Sequence, residues 1–151
     1  MRAISNKRLA IRNISVAYCL LFIAFCSLNC SIPNMESQQC SEARDSVKEF
    51  YSWYLGTDAE QREKQPEIYK KYIAERSQLN ASGAGIDPFF NSETAPTTFK
   101  IGQCDAVDDS HTNIQVQLYW RYSEQKVDQK ELYVDTVRNG ERWQIEKIES
   151  H

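Results

Sequence analysis

The sequence predicts a small α+β domain in which two or three N-terminal helices pack on one face of a curved antiparallel sheet of about four strands. Three observations carry that reading. Apolar residues recur every three or four positions between Ser41 and Gly56 and again after Pro66, which gives each segment one apolar helical face. Strict alternation then runs through residues 112–122, the period of a half-buried antiparallel strand. Finally, Asn139 and Gly140 separate two strand-like runs, as a two-residue hairpin turn does.

Residues 1–29 read as a bacterial export signal. A basic start (Arg2, Lys7, Arg8, Arg12) leads into an apolar stretch from Ile14 to Phe25. That stretch is shorter than the roughly 20 apolar residues a helix needs to cross a bilayer. Cys30 is the expected lipidation site, although Ser27, Leu28 and Asn29 depart from the usual large-aliphatic and small residues ahead of a lipidated cysteine. Cleavage after Cys26, with Ala24 three positions before the cut, is the competing expectation. Residues 30–40 then form the lipidation site and a polar tether containing Pro33, able to span at most ~30 Å when extended.

Removing the leader leaves 14 Lys and Arg against 21 Asp and Glu, a net charge of about −7. An acidic surface repels phosphate backbones, so nucleic acid is not an expected partner. About 120 residues make a single domain, placed at 41–151. Cys40 and Cys104 are the two cysteines left beyond Cys30, and in an oxidising compartment they are expected to form a disulfide; two unpaired buried thiols are the alternative.

Within the domain, Ser41 can cap a first helix whose apolar face is Ala43, Val47, Phe50, Tyr51, Tyr54 and Leu55, with Gly56 ending it. A charged stretch from Thr57 to Lys64 follows. Pro66 opens a second helix through Ile68, Tyr69, Tyr72, Ile73 and Leu79, expected to end near Asn80, before the breakers of residues 82–85. The loop from Gly83 to Pro96 carries Ile86, Phe89 and Phe90, aromatics and aliphatics that should fold back onto the core.

Four strands are expected after that loop: Thr98–Cys104, Thr112–Tyr122, Lys130–Val137 and Arg142–Ile148. In the second, Ile114, Val116, Leu118, Trp120 and Tyr122 share one face. Asn139 and Gly140 would be the central residues of a type I′ turn, where both need positive φ.

A catalytic constellation is not evident. The chain has His111 and His151 only, no GxSxG, no glycine-rich phosphate loop and no HExxH, so neither a metal centre nor a cofactor is expected. Asp105, Asp108 and Asp109 lack the spacing and closing glutamate of an EF-hand and read as a solvated turn; the alternative makes His111 beside them a base oriented by Asp109. Asn80, Ala81 and Ser82 match a glycosylation acceptor that matters only in a eukaryotic secretory pathway. The aromatics Trp53, Tyr54, Tyr69, Tyr72, Trp120 and Trp143 either pack the core or line a cavity between helices and sheet.

FYSWYLG at 50–56, DPFFNSE at 87–93 and NGERWQIEKI at 139–148 resemble the corresponding segments of a family of bacterial envelope lipoproteins of the YbjP and YqhG type, grouped by a domain of unknown function. The likeness spans roughly residues 43–149. Gly140, Trp143 and Ile145 match its closing hairpin strand with one extra residue between glycine and tryptophan. The resemblance implies a cone-shaped fold like that of nuclear transport factor two and an extracytoplasmic location, and it implies no reaction.

The expected function is therefore an exported, lipid-anchored envelope accessory or binding protein without catalytic activity. Its partners would be the membrane through Cys30 and another envelope protein, and Ser31 after the cysteine permits sorting to the outer membrane, facing the periplasm. The alternatives are a small-molecule-binding or catalytic cone domain using Asp87, Tyr54, Tyr72 and Trp120, and a periplasmic inhibitor or immunity protein that neutralises a basic toxin by charge complementarity.

Overall fold

Ser37, not Ser41, caps the first helix. Its Oγ accepts from the Cys40 amide at 3.2 Å, so α1 runs Gln38–Gly56 and takes in residues expected in the tether. Cys40 thus sits in the first turn, where a disulfide to Cys104 fastens it to the sheet as expected. The computed structural model describes residues 36–79 and 85–150; the predicted leader, Cys30, the tether up to residue 35 and residues 80–84 with their breakers and glycosylation-type triplet lie outside the described residues.

The face expected for α1 is the one it buries: Ala43, Val47, Phe50, Tyr51 and Tyr54 are all buried, and Leu55 at its end is half-buried against them. The charged stretch after Gly56 contains a short helix that periodicity does not reveal. This α2, Ala59–Glu63, is capped by Asp58, whose Oδ1 accepts from Gln61 N at 2.8 Å. No described helix is long and apolar enough to cross a membrane.

The second expected helix stops short. Helix α3 runs Pro66–Tyr72, and Ile73–Gln78 is a strand, β1. The reason is tertiary. The Gln144 Nε2 donates to the Lys70 carbonyl at 2.9 Å and weakly to that of Lys71 at 3.4 Å, satisfying carbonyls that a longer helix would have bonded itself. Ile73 then adopts extended backbone and pairs with the edge of the last strand.

The sheet accordingly has five strands rather than four and is mixed rather than antiparallel. The others are β2 Thr98–Ala106, β3 His111–Arg121, β4 Val127–Asn139 and β5 Arg142–Glu149, in the order β1-β5-β4-β3-β2. Only β1 runs parallel to its neighbour. Along β3, Thr112, Ile114, Val116, Leu118 and Trp120 face the helices, and Leu132, Val134 and Thr136 of β4 share that face. Thr112 and Thr136 satisfy each other's buried hydroxyls at 2.7 Å. Tyr122 does not join this face: β3 ends at Arg121, and Tyr122 is 60% exposed beyond it.

Both outer strands are irregular. On β1 the register moves from Ile73↔Ile145 to Gln78↔Lys147, so five steps on β1 span two on β5. On β2 it moves from Ile101↔Val116 to Cys104↔Ile114, one extra residue around Gly102 and Gln103. A Cβ at Gly102 would lie 2.2 Å from the Gln115 Oε1, which instead accepts from the Gln103 amide at 3.3 Å.

The β4–β5 turn is displaced by one residue from the expected position. Asn139 pairs with Arg142 and its Nδ2 donates to the Gln144 Oε1 at 3.1 Å, which keeps it in the strand. The central residues are therefore Gly140 and Glu141, and only Gly140 has positive φ (67°), the pattern of a turn with glycine first rather than type I′.

Candidate functional site

The space between α1 and the sheet is filled with rings. Phe89 and Phe90 fold back from the loop as expected, and Phe89 lies 4.9 Å from Phe50 and 4.7 Å from Tyr54 between ring centroids. Tyr51 donates to the Phe89 carbonyl at 2.9 Å, and Tyr69 meets Trp53 edge-on at 5.3 Å. Burial pushes the Tyr51 phenol well above its ordinary value. This aromatic packing is the core of the domain, as the sequence left open.

Of the four residues singled out for a ligand, Tyr54 and Asp87 come together. The Tyr54 hydroxyl donates to the Asp87 Oδ2 at 2.7 Å, while the Oδ1 accepts from the Phe89 amide at 2.8 Å and the Asp87 amide donates to the Ser92 carbonyl at 2.9 Å. Asp87 therefore folds the loop as an Asx turn and ties it to α1. The Arg62 guanidinium lies 4.1 Å over the Tyr54 ring and donates to the carbonyls of Tyr54 and Thr57, closing the C-terminal end of α1. Burial, then the bond to Asp87, raises the Tyr54 phenol far above its usual range.

Tyr72 and Trp120 stand apart from that pair. Tyr72 donates to the Glu49 Oε2 at 2.9 Å and accepts from the Lys71 Nζ at 2.7 Å; these bonds lower the Glu49 carboxyl and raise the Lys71 amine. Trp120 is buried with its indole donating to the Thr94 carbonyl at 3.0 Å. Each of the four is engaged in holding one element to another.

The acidic turn is organised around Asp108, which takes the place beside His111 expected for Asp109, but not as a catalytic set. Asp108 accepts from the Ser110 amide at 2.7 Å and lies 2.9 Å from the His111 Nδ1, while the Ser110 Oγ lies 3.0 Å from the same nitrogen. A base relay needs the acid and the nucleophile on opposite ring nitrogens. The bond from the Ser110 backbone, then that from His111, holds the Asp108 carboxyl down at about 2. Among the described residues no group of three or more His, Cys, Asp and Glu could hold a metal.

An open groove of about 720 Å³ lies elsewhere, where α3 gives way to β1 beside the β4–β5 hairpin. Tyr69, Ile73, Ala74 and Gln144 line it together with Lys70, Glu75, Glu141 and Arg142. Sequence reasoning missed it because it exists only where a helix period breaks into a strand, and the closing hairpin segment of residues 139–148, which supplies part of its lining, pointed to a strand pair and not to a cleft. Comparison with protein-family models, curated proteins and solved structures finds no match for this chain.

Proposed function

We propose that this chain is an exported bacterial envelope protein, anchored by lipid at Cys30 and facing the periplasm from the outer membrane, which serves as an accessory or binding domain without catalytic activity. In this reading it is a member of the envelope lipoprotein family it resembles, and its helices and five-stranded sheet are a variant of the cone fold. The observation that carries the proposal is the disulfide between Cys40 and Cys104, compatible with an oxidising compartment and placed in the first helical turn after the predicted tether.

The engagement of Tyr54, Asp87, Tyr72 and Trp120 in bonds between elements argues against both a ligand site and a catalytic set built from them in the helix–sheet layer. Metabolic labelling with radioactive palmitate tests the anchor. The protein is expected to carry label and to leave the membrane fraction on Cys30→Ala substitution; an unlabelled protein, or a variant that stays in the membrane, overturns it.

A further inference from the structure

We propose that the groove between α3, β1 and the β4–β5 hairpin binds short peptides with free amino and carboxyl ends. The groove follows from the fold. Strand β1 first meets β5 at Ile145, so Arg142 to Gln144 pair with β4 on one side and run past the start of β1 with no strand on the other, where α3 ends at Tyr72. The resulting volume, about 720 Å³, lies within the roughly 300–1,000 Å³ typical of small-ligand sites.

The chemistry of the lining selects the ligand. Gln144, only 8% exposed, bonds to Asn139 through its carbonyl and to the Lys70 and Lys71 carbonyls through its amide nitrogen, which makes a fixed, neutral base. Ile73, Ala74 and the Tyr69 ring supply apolar surface. Four charged side chains complete the lining: Lys70 and Arg142, Glu75 and Glu141.

None of these four makes an ion pair or a side-chain hydrogen bond among the described residues. Their neighbours do: Lys71 pairs with Glu49, and Arg138 with Glu42. A ligand with anionic groups alone meets the two carboxylates, and one with amines alone meets the two cations. A molecule carrying one ammonium, one carboxylate and small side chains meets complementary partners throughout, and a short peptide is that molecule.

The proposal rests on the binding-domain reading and is independent of the lipid anchor. Calorimetric titration of the full-length protein at low ionic strength with trialanine tests it, with N-acetyl-trialanine and trialanine amide as the two blocked controls. Trialanine is expected to bind, and blocking either end to weaken binding by about fivefold, the scale of one lost partly exposed ion pair. Arg142→Ala with Lys70→Ala should weaken trialanine binding and abolish the penalty for amidation, while Glu141→Gln with Glu75→Gln should abolish the penalty for acetylation. Thermal melts matching the parent protein show that the variants fold.

No heat with trialanine, equal affinity for the blocked peptides, or variants indistinguishable from the parent overturns the proposal. Palmitate labelling without peptide binding overturns this inference and leaves the anchor standing; peptide binding without label does the reverse.

Discussion

The Tyr54 hydroxyl and the Asp87 carboxylate meet at 2.7 Å and join the last turns of α1 to a loop that returns two phenylalanines to the core. Because Asp87 also accepts from the Phe89 amide, one carboxylate sets both the conformation of the loop and its position. Asp87→Ala is expected to destabilise the domain by about 2–3 kcal/mol, as loss of a charged acceptor leaves the Tyr54 hydroxyl and Phe89 amide without their partner. Tyr54→Phe should cost about 1 kcal/mol less, since the Asx turn survives. Urea unfolding of both single variants and the double variant checks this, and additivity of the two effects would contradict the coupling.

The disulfide closes a long loop, with Cys40 and Cys104 separated by 64 positions. Chain-entropy reasoning gives a stabilisation of about 4 kcal/mol. Replacing both cysteines with alanine should therefore lower the urea midpoint sharply, and adding reductant to the parent protein should reproduce most of the loss. A reduced protein with an unchanged midpoint would show that the helix–sheet packing holds α1 unaided.

Gly102 is needed for the room it leaves. A methyl group there would sit 2.2 Å from the Gln115 Oε1 and 3.2 Å from its Cβ, so Gly102→Ala must displace Gln115 and its bond to the Gln103 amide. We expect a loss of about 1–2 kcal/mol, typical of overpacking. Adding Gln115→Ala should recover part of it by removing the obstructing side chain. Denaturation of the single and double variants measures the recovery.

Two groups give the stability opposite pH limbs. The Asp108 carboxyl is depressed to about 2 in the folded state, so its contribution is complete above the unfolded value near 4 and is lost as pH falls toward 2. The Tyr54 phenol is raised in the folded state, so its contribution is complete below about 10, the unfolded value, and fades as pH rises beyond it. Carbon-detected NMR of Asp108 should locate its titration near 2, and Asp108→Asn should flatten the acid limb of a stability profile. On the alkaline side, phenolate absorbance for Tyr54 should appear together with unfolding; ionisation with the fold intact would contradict the assignment.

How far the sequence reveals these arrangements depends on the range of the interactions involved. The buried face of α1 and the alternation along β3 are local periodicities, and both stand in the structure. So does the pairing of Cys40 with Cys104, where few cysteines remained to choose from. The segment from Ile73 to Gln78 was opaque because Ile68, Tyr69, Tyr72 and Ile73 fit a helical period, while the decision to leave the helix comes from β5, some 70 residues away. The same non-local event creates the groove, so nothing in the linear sequence brings Lys70 and Glu75 together with Glu141 and Arg142 of the closing hairpin. Tyr54 and Asp87 were each identifiable as unusual residues, but only their proximity shows that they bind one another.

The irregular registers of β1 and β2 have a consequence for life at high density. A flat outer strand offers a row of backbone groups on which another chain can crystallise. Here three extra residues distort one margin of the sheet and a bulge at Gly102 distorts the other, so neither presents a continuous template. The margins of the sheet are therefore poor templates for a further strand, and the one unbroken ladder is that of β3 with β4, from His111↔Val137 to Arg121↔Val127.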